Sequence, residues 1–440
     1  MSLTFVEPRF ERTRRAMATS RWIETSGRVA EIVGLVIESN GPNARVGDLC
    51  WIETAEAPVA AEVVGFRADR TLLMPLGELT GVRPGCLVTG TGTCLRVPAG
   101  PEMLGRVVDA LGRPLDGLPQ FACAVSQPIQ AAPPNALDRK MIESPLETGV
   151  RAIDGMLTLG EGQRIGIFAG SGVGKSTLLG MIARNCEADV NVIALIGERG
   201  REVREFLQND LGEEGLRRSV IVCATSDQPA LLRIKAALAA TAIAEFFRDQ
   251  GKKVVLMMDS VTRFAMAQRE VGLAVGEPPS TKGYTPSVFA LLPKLMERAG
   301  NGSSGSITAL YTVLVEGDDT NEPIADAARS ILDGHVVLSR KLTSRGHYPP
   351  IDILNSLSRT MPMTVSGEHV QNSRSLRELI GAYYDIEDLV SIGAYRAGNK
   401  PIADKAIARW DDINAFLRQD KAEATSFTDT ADLLHELVGG

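Results

Sequence analysis

The six cysteines of this 440-residue chain, Cys50, Cys86, Cys94, Cys123, Cys186 and Cys223, include no C-x-x-C pair and lie far apart. Such spacing offers no disulfide framework, so they read as reduced, mostly buried thiols of a cytosolic protein. No uninterrupted apolar run approaches the roughly 18 residues needed to span a bilayer, and no charged-then-apolar leader is read at the N-terminus. Any membrane association is therefore expected to be peripheral. Basic charge is also in deficit: 47 Lys and Arg against 54 Asp and Glu leave a net charge of −7, which argues against a dedicated nucleic-acid binder. Internal repeats and low-complexity tracts are absent, so a solenoid or a disordered array is not the reading. What is present, 44% hydrophobic and 23% charged residues, is the composition of an ordinary folded chain. Its length calls for two or three domains rather than one core.

The character of the chain changes several times along its length. Residues 1–21 carry Arg9, Arg12, Arg14, Arg15 and Arg21 against Glu7 and Glu11, with Phe5, Val6, Phe10 and Met17 loosely on one helical face. This segment reads either as a basic amphipathic helix that docks on acidic lipid or a partner, or as a frayed terminus. Residues 22–97 hold short β-rich runs separated by Gly and Asn-Gly turns, the pattern of a small barrel. Residues 98–144, with a proline-rich stretch from Gln127 to Pro134, read as a connector. From 145 to 360 strands and helices alternate. The strand candidates Arg164–Phe168, Asn191–Ile196, Ser219–Cys223, Val254–Met258, Ile307–Val315 and His335–Leu338 are apolar enough to be buried on both faces. A parallel sheet wrapped by helices follows, with ligands expected at the carboxyl ends of its strands. Residues 361–440 read as helical: Ser373–Ala382, Ile386–Ile392, Pro401–Leu417 and Thr428–Leu437.

The most specific stretch follows the first of those strands. Ala169-Gly170-Ser171-Gly172-Val173-Gly174-Lys175-Ser176-Thr177 joins an apolar strand to a helical pattern through a glycine-rich turn, so backbone N–H groups and a helix N-terminus face an anion. Lys175 is placed to reach β- and γ-phosphates, and the Ser176 hydroxyl is the hard oxygen that Mg²⁺ prefers. Ala169 stands where the strict pattern has glycine, a small departure because alanine is the least bulky alternative.

Hydrolysis needs more than a cradle. Asp259 ends the run Val254-Val255-Leu256-Met257-Met258 and would emerge beside the phosphate loop to hold Mg²⁺; without the cradle upstream it would read as a helix cap. The cluster Gly197-Glu198-Arg199-Gly200-Arg201-Glu202 follows another apolar strand on the same edge. There Glu198 is placed to polarise water and Arg199 to face the γ-phosphate.

These motifs resemble those of the catalytic subunit of rotary ATP synthases, and more closely the ATPases of type III protein export. Gly276-Glu277-Pro278-Pro279, Tyr284-Thr285-Pro286-Ser287-Val288-Phe289, Glu316-Gly317-Asp318-Asp319 and Ser330-Ile331-Leu332-Asp333-Gly334-His335 extend the likeness from the barrel to the C-terminus. The resemblance implies an α/β, RecA-like P-loop core with a parallel sheet, preceded by a small β-barrel domain and followed by a C-terminal helical domain. It implies ATP bound by Gly170, Ser171, Gly172, Val173, Gly174, Lys175, Ser176 and Thr177, and Mg²⁺ held by Ser176 and Asp259. Glu198 falls on the water-orienting carboxylate, Arg199 and Arg263 on γ-phosphate contacts, and Tyr348 on an aromatic that stacks on adenine. Arg359 falls on the arginine that the family inserts into the neighbouring subunit's site. Alone, Tyr348 reads as a turn aromatic and Arg359 as an exposed strand-end arginine.

The resemblance further implies a homo-hexameric cytoplasmic motor, peripherally associated with the inner membrane. It implies a stator-like regulatory protein at the N-terminus, a central stalk protein, export-gate membrane proteins and chaperone-cargo complexes as partners, with no nucleic acid. Ser226-Asp227-Gln228-Pro229-Ala230, Ser280-Thr281-Lys282-Gly283-Tyr284 and Ile392-Gly393-Ala394-Tyr395-Arg396-Ala397-Gly398 look more like the flagellar branch. Ala194-Leu195-Ile196-Gly197 and Gly212-Glu213-Glu214-Gly215-Leu216 also resemble the virulence injectisome branch. Two other readings differ in class. In an inert ring subunit the carboxylate at Glu198 would typically be absent. An RNA-translocating hexamer would need an aromatic-basic platform in residues 22–97, which is not found there.

Overall fold

The computed structural model describes residues 25–315, 322–398 and 400–439. The basic segment 1–21 and the Glu316-Gly317-Asp318-Asp319 motif lie outside them. Two compact units divide at Leu95. In the first, β1 (Thr25–Val33), β2 (Val36–Asn40), β3 (Asp48–Ile52), β4 (Val59–Arg67), β5 (Arg70–Pro75) and β6 (Leu87–Cys94) close into an antiparallel barrel in the order β1-β2-β5-β4-β3-β6. Alternating side chains fill it, among them Val29, Ile37, Cys50, Ile52, Val63, Leu73 and Val88, and closure leaves no exposed sheet edge.

The second unit is built on one sheet. Its strands are β7 (Arg106–Val108), β8 (Arg164–Ala169), β9 (Val190–Ile196), β10 (Ser219–Ala224), β11 (Lys253–Asp259), β12 (Ser306–Leu314), β13 (Gly334–Leu338) and β14 (Ile351–Ser358), in the order β14-β13-β8-β12-β11-β9-β10-β7. All neighbours run parallel except β14, which lies antiparallel to β13. Every residue of β9 and β10 is buried, as runs dominated by Val, Ile, Leu and Ala demand when both faces are covered.

One face packs against α2 (Lys175–Asn185), and the same core takes in Ile153 and Met156 of the short α1 (Arg151–Met156) and Leu376, Ile380, Ile413, Phe416 and Leu434 of the C-terminal helices. Those helices are α6 (Gly367–Tyr384), α7 (Pro401–Leu417) and α8 (Phe427–Gly439). A 20-residue helix, α4 (Ala230–Asp249), packs on β9, β10 and β11, its buried alanines allowing close approach. The expected fold class is borne out: barrel, nucleotide-domain sheet, helical C-terminus. The stretch 98–144, expected as a connector, supplies β7, an edge strand of the central sheet, and its Val125–Pro128 pairs antiparallel with Arg96–Ala99.

Candidate functional site

The glycine-rich turn leaves β8 at Ala169, which still pairs with Leu314 and Leu338 and is buried. Ala169 is therefore the last residue of a strand, where a Cβ is ordinary, and this accounts for alanine in place of glycine. Glycine is required further on: Gly172 and Gly174 have φ of +74° and +96°, backbone that L side chains avoid. Gly174 then caps α2 with no side-chain hydrogen bond. The first-turn N–H groups of Lys175, Ser176 and Thr177 are thus left to an outside acceptor, at the positive end of the helix dipole.

Lys175 meets the ends of two other strands. Its Nζ contacts Asp259 Oδ1 at the end of β11 and lies 3.6 Å from Glu198 Oε1 in the loop after β9. All three side chains are largely buried. Thr312 Oγ1 donates to Asp259 at 2.8 Å, fixing the carboxylate. Burial pulls the Lys175 ammonium down, but Asp259 and then Glu198 outweigh it, so its pKa stands above that of an ordinary lysine. Burial pushes Glu198 up to about 7; the Lys175 charge opposes the rise and Asp259 adds to it. Glu202 is held low, chiefly by a hydrogen bond from Glu198.

The helix after β11, α5 (Val261–Val275), is capped by Ser260, which accepts from the Arg263 N–H. The capping role open to Asp259 in the sequence thus falls to its neighbour, leaving the Asp259 carboxylate in the cluster. The Arg263 side chain runs across Gly197, where an added Cβ would meet it at 3.1 Å, and among the described residues its buried Nε has no hydrogen-bond partner. A buried guanidinium N–H without an acceptor beside Glu198 suits an arriving anion.

Across the loop stands Tyr348, 49% exposed. With Gly174, Thr177, Met181, Pro350 and the segment 418–423 it lines a cavity of about 480 Å³. That segment was not singled out in the sequence. It is fixed by Gln419, whose N–H donates to the Tyr348 carbonyl at 2.9 Å, whose Oε1 accepts from the Arg151 N–H and whose Nε2 donates to Gly149. Beneath it, burial and then the Arg418 charge push His347 down to about 4. The neutral ring accepts from Arg418 Nε at 3.4 Å. No local motif marks 418–423, because its partners are some 70 and 270 residues away.

Two expected residues stay outside this cluster. Arg199 is 80% exposed and pairs with Glu202 at 3.1 Å. Arg359 is exposed just beyond β14, its N–H donating to the Asp333 carbonyl. Because β14 runs antiparallel to β13, pairing Ser358 with Gly334, Arg359 sits at the amino end of the parallel strands. The phosphate loop leaves β8 at the opposite end, level with Leu338.

A strand–turn–helix phosphate loop with an acid at a neighbouring strand end and a buried carboxylate beside its lysine is the equipment of a nucleotide-hydrolysing site. Sequence models of known families agree. The ATP synthase alpha/beta family nucleotide-binding domain matches residues 149–358, and the beta-barrel domain of that family matches residues 29–92. The chain belongs to the ATP synthase alpha/beta family. Its residues 365–436 match the C-terminal domain of the T3SS EscN ATPase.

This family member is 54% identical to a flagellum-specific ATP synthase of Bacillus subtilis over 94% of the chain and 95% of that protein. It is 52% identical to a type 3 secretion system ATPase of Xanthomonas euvesicatoria over 98% of the chain and 97% of that protein. The solved structure of assembled EscN in complex with its central stalk EscO, from the type III secretion system of enteropathogenic E. coli, is 47% identical. It superposes with a TM-score of 0.87, covering 94% of this chain and all of that one. The ATP synthase alpha/beta chain described here is an ATPase.

Proposed function

We propose that this chain is the Mg-ATP-driven motor of a type III protein-export apparatus, most like the flagellar one, that promotes chaperone release, unfolding and export of substrate proteins. The observation that carries the reading is the meeting of Lys175, Glu198 and Asp259 at the carboxyl edge of the sheet, in a chain that nearly whole matches export ATPases. The retained, buried Glu198 speaks against an inert ring subunit. The injectisome ATPases are the second reading, favoured by the EscN-type C-terminal domain and the long Xanthomonas match.

In this reading the backbone N–H groups from Gly172 to Thr177 cradle the phosphates, Lys175 turns from Asp259 to the β- and γ-oxygens, and Arg263 offers its Nε–H to the γ-phosphate. The base lies in the cavity against Tyr348, walled by Arg418–Lys421. Ser176 and Asp259 offer hard oxygen donors, which fits Mg²⁺ with water completing its shell. Among the described residues no group of three or more His, Cys, Asp or Glu side chains is placed to hold a metal, and Mg²⁺ with phosphate ligands does not require one. When bound it neutralises charge on the β- and γ-oxygens. Glu198, once ionised, accepts a proton from the attacking water. Exposed Arg199 reaches the γ-phosphate only if its loop turns inward from the Glu202 pair.

The assembly proposed is a homo-hexamer around a central stalk, as the EscN–EscO structure describes for that protein. The proposed N-terminal stator-like protein, export-gate and chaperone-cargo contacts fit a cytoplasmic enzyme held peripherally at the inner membrane. Among the described residues no helix is long and apolar enough to cross a membrane. The test is a pair of substitutions. Lys175→Ala abolishes nucleotide binding or hydrolysis, whereas Glu198→Gln still binds a fluorescent ATP analogue but stops turnover. Near-normal hydrolysis by Glu198→Gln would refute the role given to Glu198.

A further inference from the structure

A second cavity, of about 540 Å³, opens at the carboxyl end of the sheet between β7, β10 and the helix α3 (Gly200–Glu205). Its floor is apolar, with Val107, Val203, Leu207, Cys223 and Leu232, and its rim carries Leu115, 55% exposed, and Arg204. Arg204 is exposed and forms no ion pair among the described residues. Nothing in the catalytic reading uses this space.

At the other end of the sheet the chain presents the converse shape. Leu137, 92% exposed, and Met141, 71% exposed, project from the segment 135–143. The segment is nevertheless firmly held. Asn135 caps the short turn Ala136–Asp138, Arg139 Nη1 donates to the Ala299 carbonyl at 2.6 Å, and Asn301 Nδ2 donates to the Lys140 and Met141 carbonyls. Asn301 pairs with Ser306 at the start of β12, and the Ser144 carbonyl accepts from Glu161 just before β8. The segment therefore lies at the amino ends of β8 and β12. A pinned backbone that displays two large apolar side chains to water is the mark of a docking knob. Asp138 and Lys140, beside them, are exposed and form no ion pair among the described residues.

We infer that Leu137 and Met141 of one subunit seat in the β7–β10–α3 cavity of the next copy of this chain, with Asp138 against Arg204. The inference rests on the ring reading above, in which Arg359 serves the neighbour's site. Contacts between copies are then head-to-tail, the amino-end face of one sheet meeting the carboxyl-end face of the next, and such contacts close into rings. Arg359 leaves the sheet beside β13 and β14, while the site it must reach is framed by β8, β11 and β9. That is a step of about three strands, ~14 Å at the usual strand spacing. The same step carries the segment at β8 and β12 onto β9 and β10, within one strand of the β10–β7 mouth of the cavity. Arginine and knob thus require displacements in the same direction that agree to within about one strand spacing.

The test follows ATPase specific activity and sedimentation against chain concentration. For Leu137→Asp/Met141→Asp on the knob, or Leu115→Asp on the cavity rim, the concentration for half-maximal assembly rises tenfold or more. All three sites are exposed, so fold is retained, and binding of a fluorescent ATP analogue by the dilute chain stays unchanged. Asp138→Arg and Arg204→Asp each weaken assembly, and a chain carrying both recovers it. Assembly of the knob and rim variants at the wild-type concentration, or no rescue by the charge exchange, overturns the inference while the ring reading stands. If wild-type activity itself is independent of concentration, the ring reading fails and this inference falls with it.

Discussion

Glu198 shows what it costs a folded chain to bury a carboxylate beside a phosphate loop. A glutamate with an ordinary pKa of 4.5 is pushed up to about 7, chiefly by burial, although Lys175 stands 3.6 Å away. The ionised form is thus less comfortable in the folded chain than in the unfolded one. Below about pH 4.5 the group is protonated in both states and its contribution is intact. As pH rises through about 7 that stability is lost. Glutamine is neutral throughout, so Glu198→Gln raises the melting temperature of the nucleotide-free enzyme at pH 8 by several degrees and leaves it nearly unchanged at pH 4.5. Thermal unfolding at the two pH values decides the matter. No gain at pH 8, or an equal gain at both, contradicts the burial account.

At the scale of elements, a buried ion pair holds the linking segment to α4. Arg298, only 2% exposed, gives two hydrogen bonds to Glu245 on α4, at 2.8 and 2.6 Å, and a third at 2.7 Å to the carbonyl of Ile129 just after Val125–Pro128. Removing one partner strands the other charge. Arg298→Met therefore destabilises by about 3–5 kcal/mol, while Arg298→Met with Glu245→Leu recovers most of that loss. Recovery stays about 1 kcal/mol short because the Ile129 carbonyl loses its donor. Urea denaturation of the variants measures both; a double variant no better than the single one excludes this account.

The same elements show which parts of the fold sequence periodicity can carry. β9, β10 and β11 are legible because burial on both faces writes itself as an unbroken apolar run. β7 is three residues long, and β14 is half exposed at the sheet edge, so neither offers such a run. The phosphate loop, Glu198 and Asp259 were legible because each follows a buried strand directly. The 418–423 wall and the Arg298 clamp were not, since their partners come from distant sequence and only the folded chain brings them together.

At the scale of the whole molecule, catalysis is expected to belong to the ring and not to the single chain. Phosphate loop, Asp259, Glu198 and Arg263 lie on the carboxyl edge of the sheet, but Arg359 lies on the other edge, separated from its own phosphate loop by the length of β13, roughly 13 Å at ~3.3 Å per residue. It has no way to act in its own site. Placed in a neighbour's, its charge offsets that developing on the transferred phosphoryl group, an effect worth about 10³–10⁵ in rate. Dilute chains therefore bind nucleotide but turn over slowly, and specific activity climbs with concentration. Arg359→Ala lowers turnover severely with nucleotide affinity nearly unchanged. The decisive measurement mixes Arg359→Ala with Glu198→Gln, two chains inactive when alone. In mixed rings some interfaces join an intact Glu198, on the Arg359→Ala chain, to an intact Arg359 supplied by a Glu198→Gln neighbour. At equal amounts and random order, about a quarter of interfaces are of this kind, so hydrolysis returns to a corresponding fraction of wild type if sites fire independently. Mixtures shown by sedimentation to co-assemble, yet without any return of activity, would place Arg359 outside the reaction altogether.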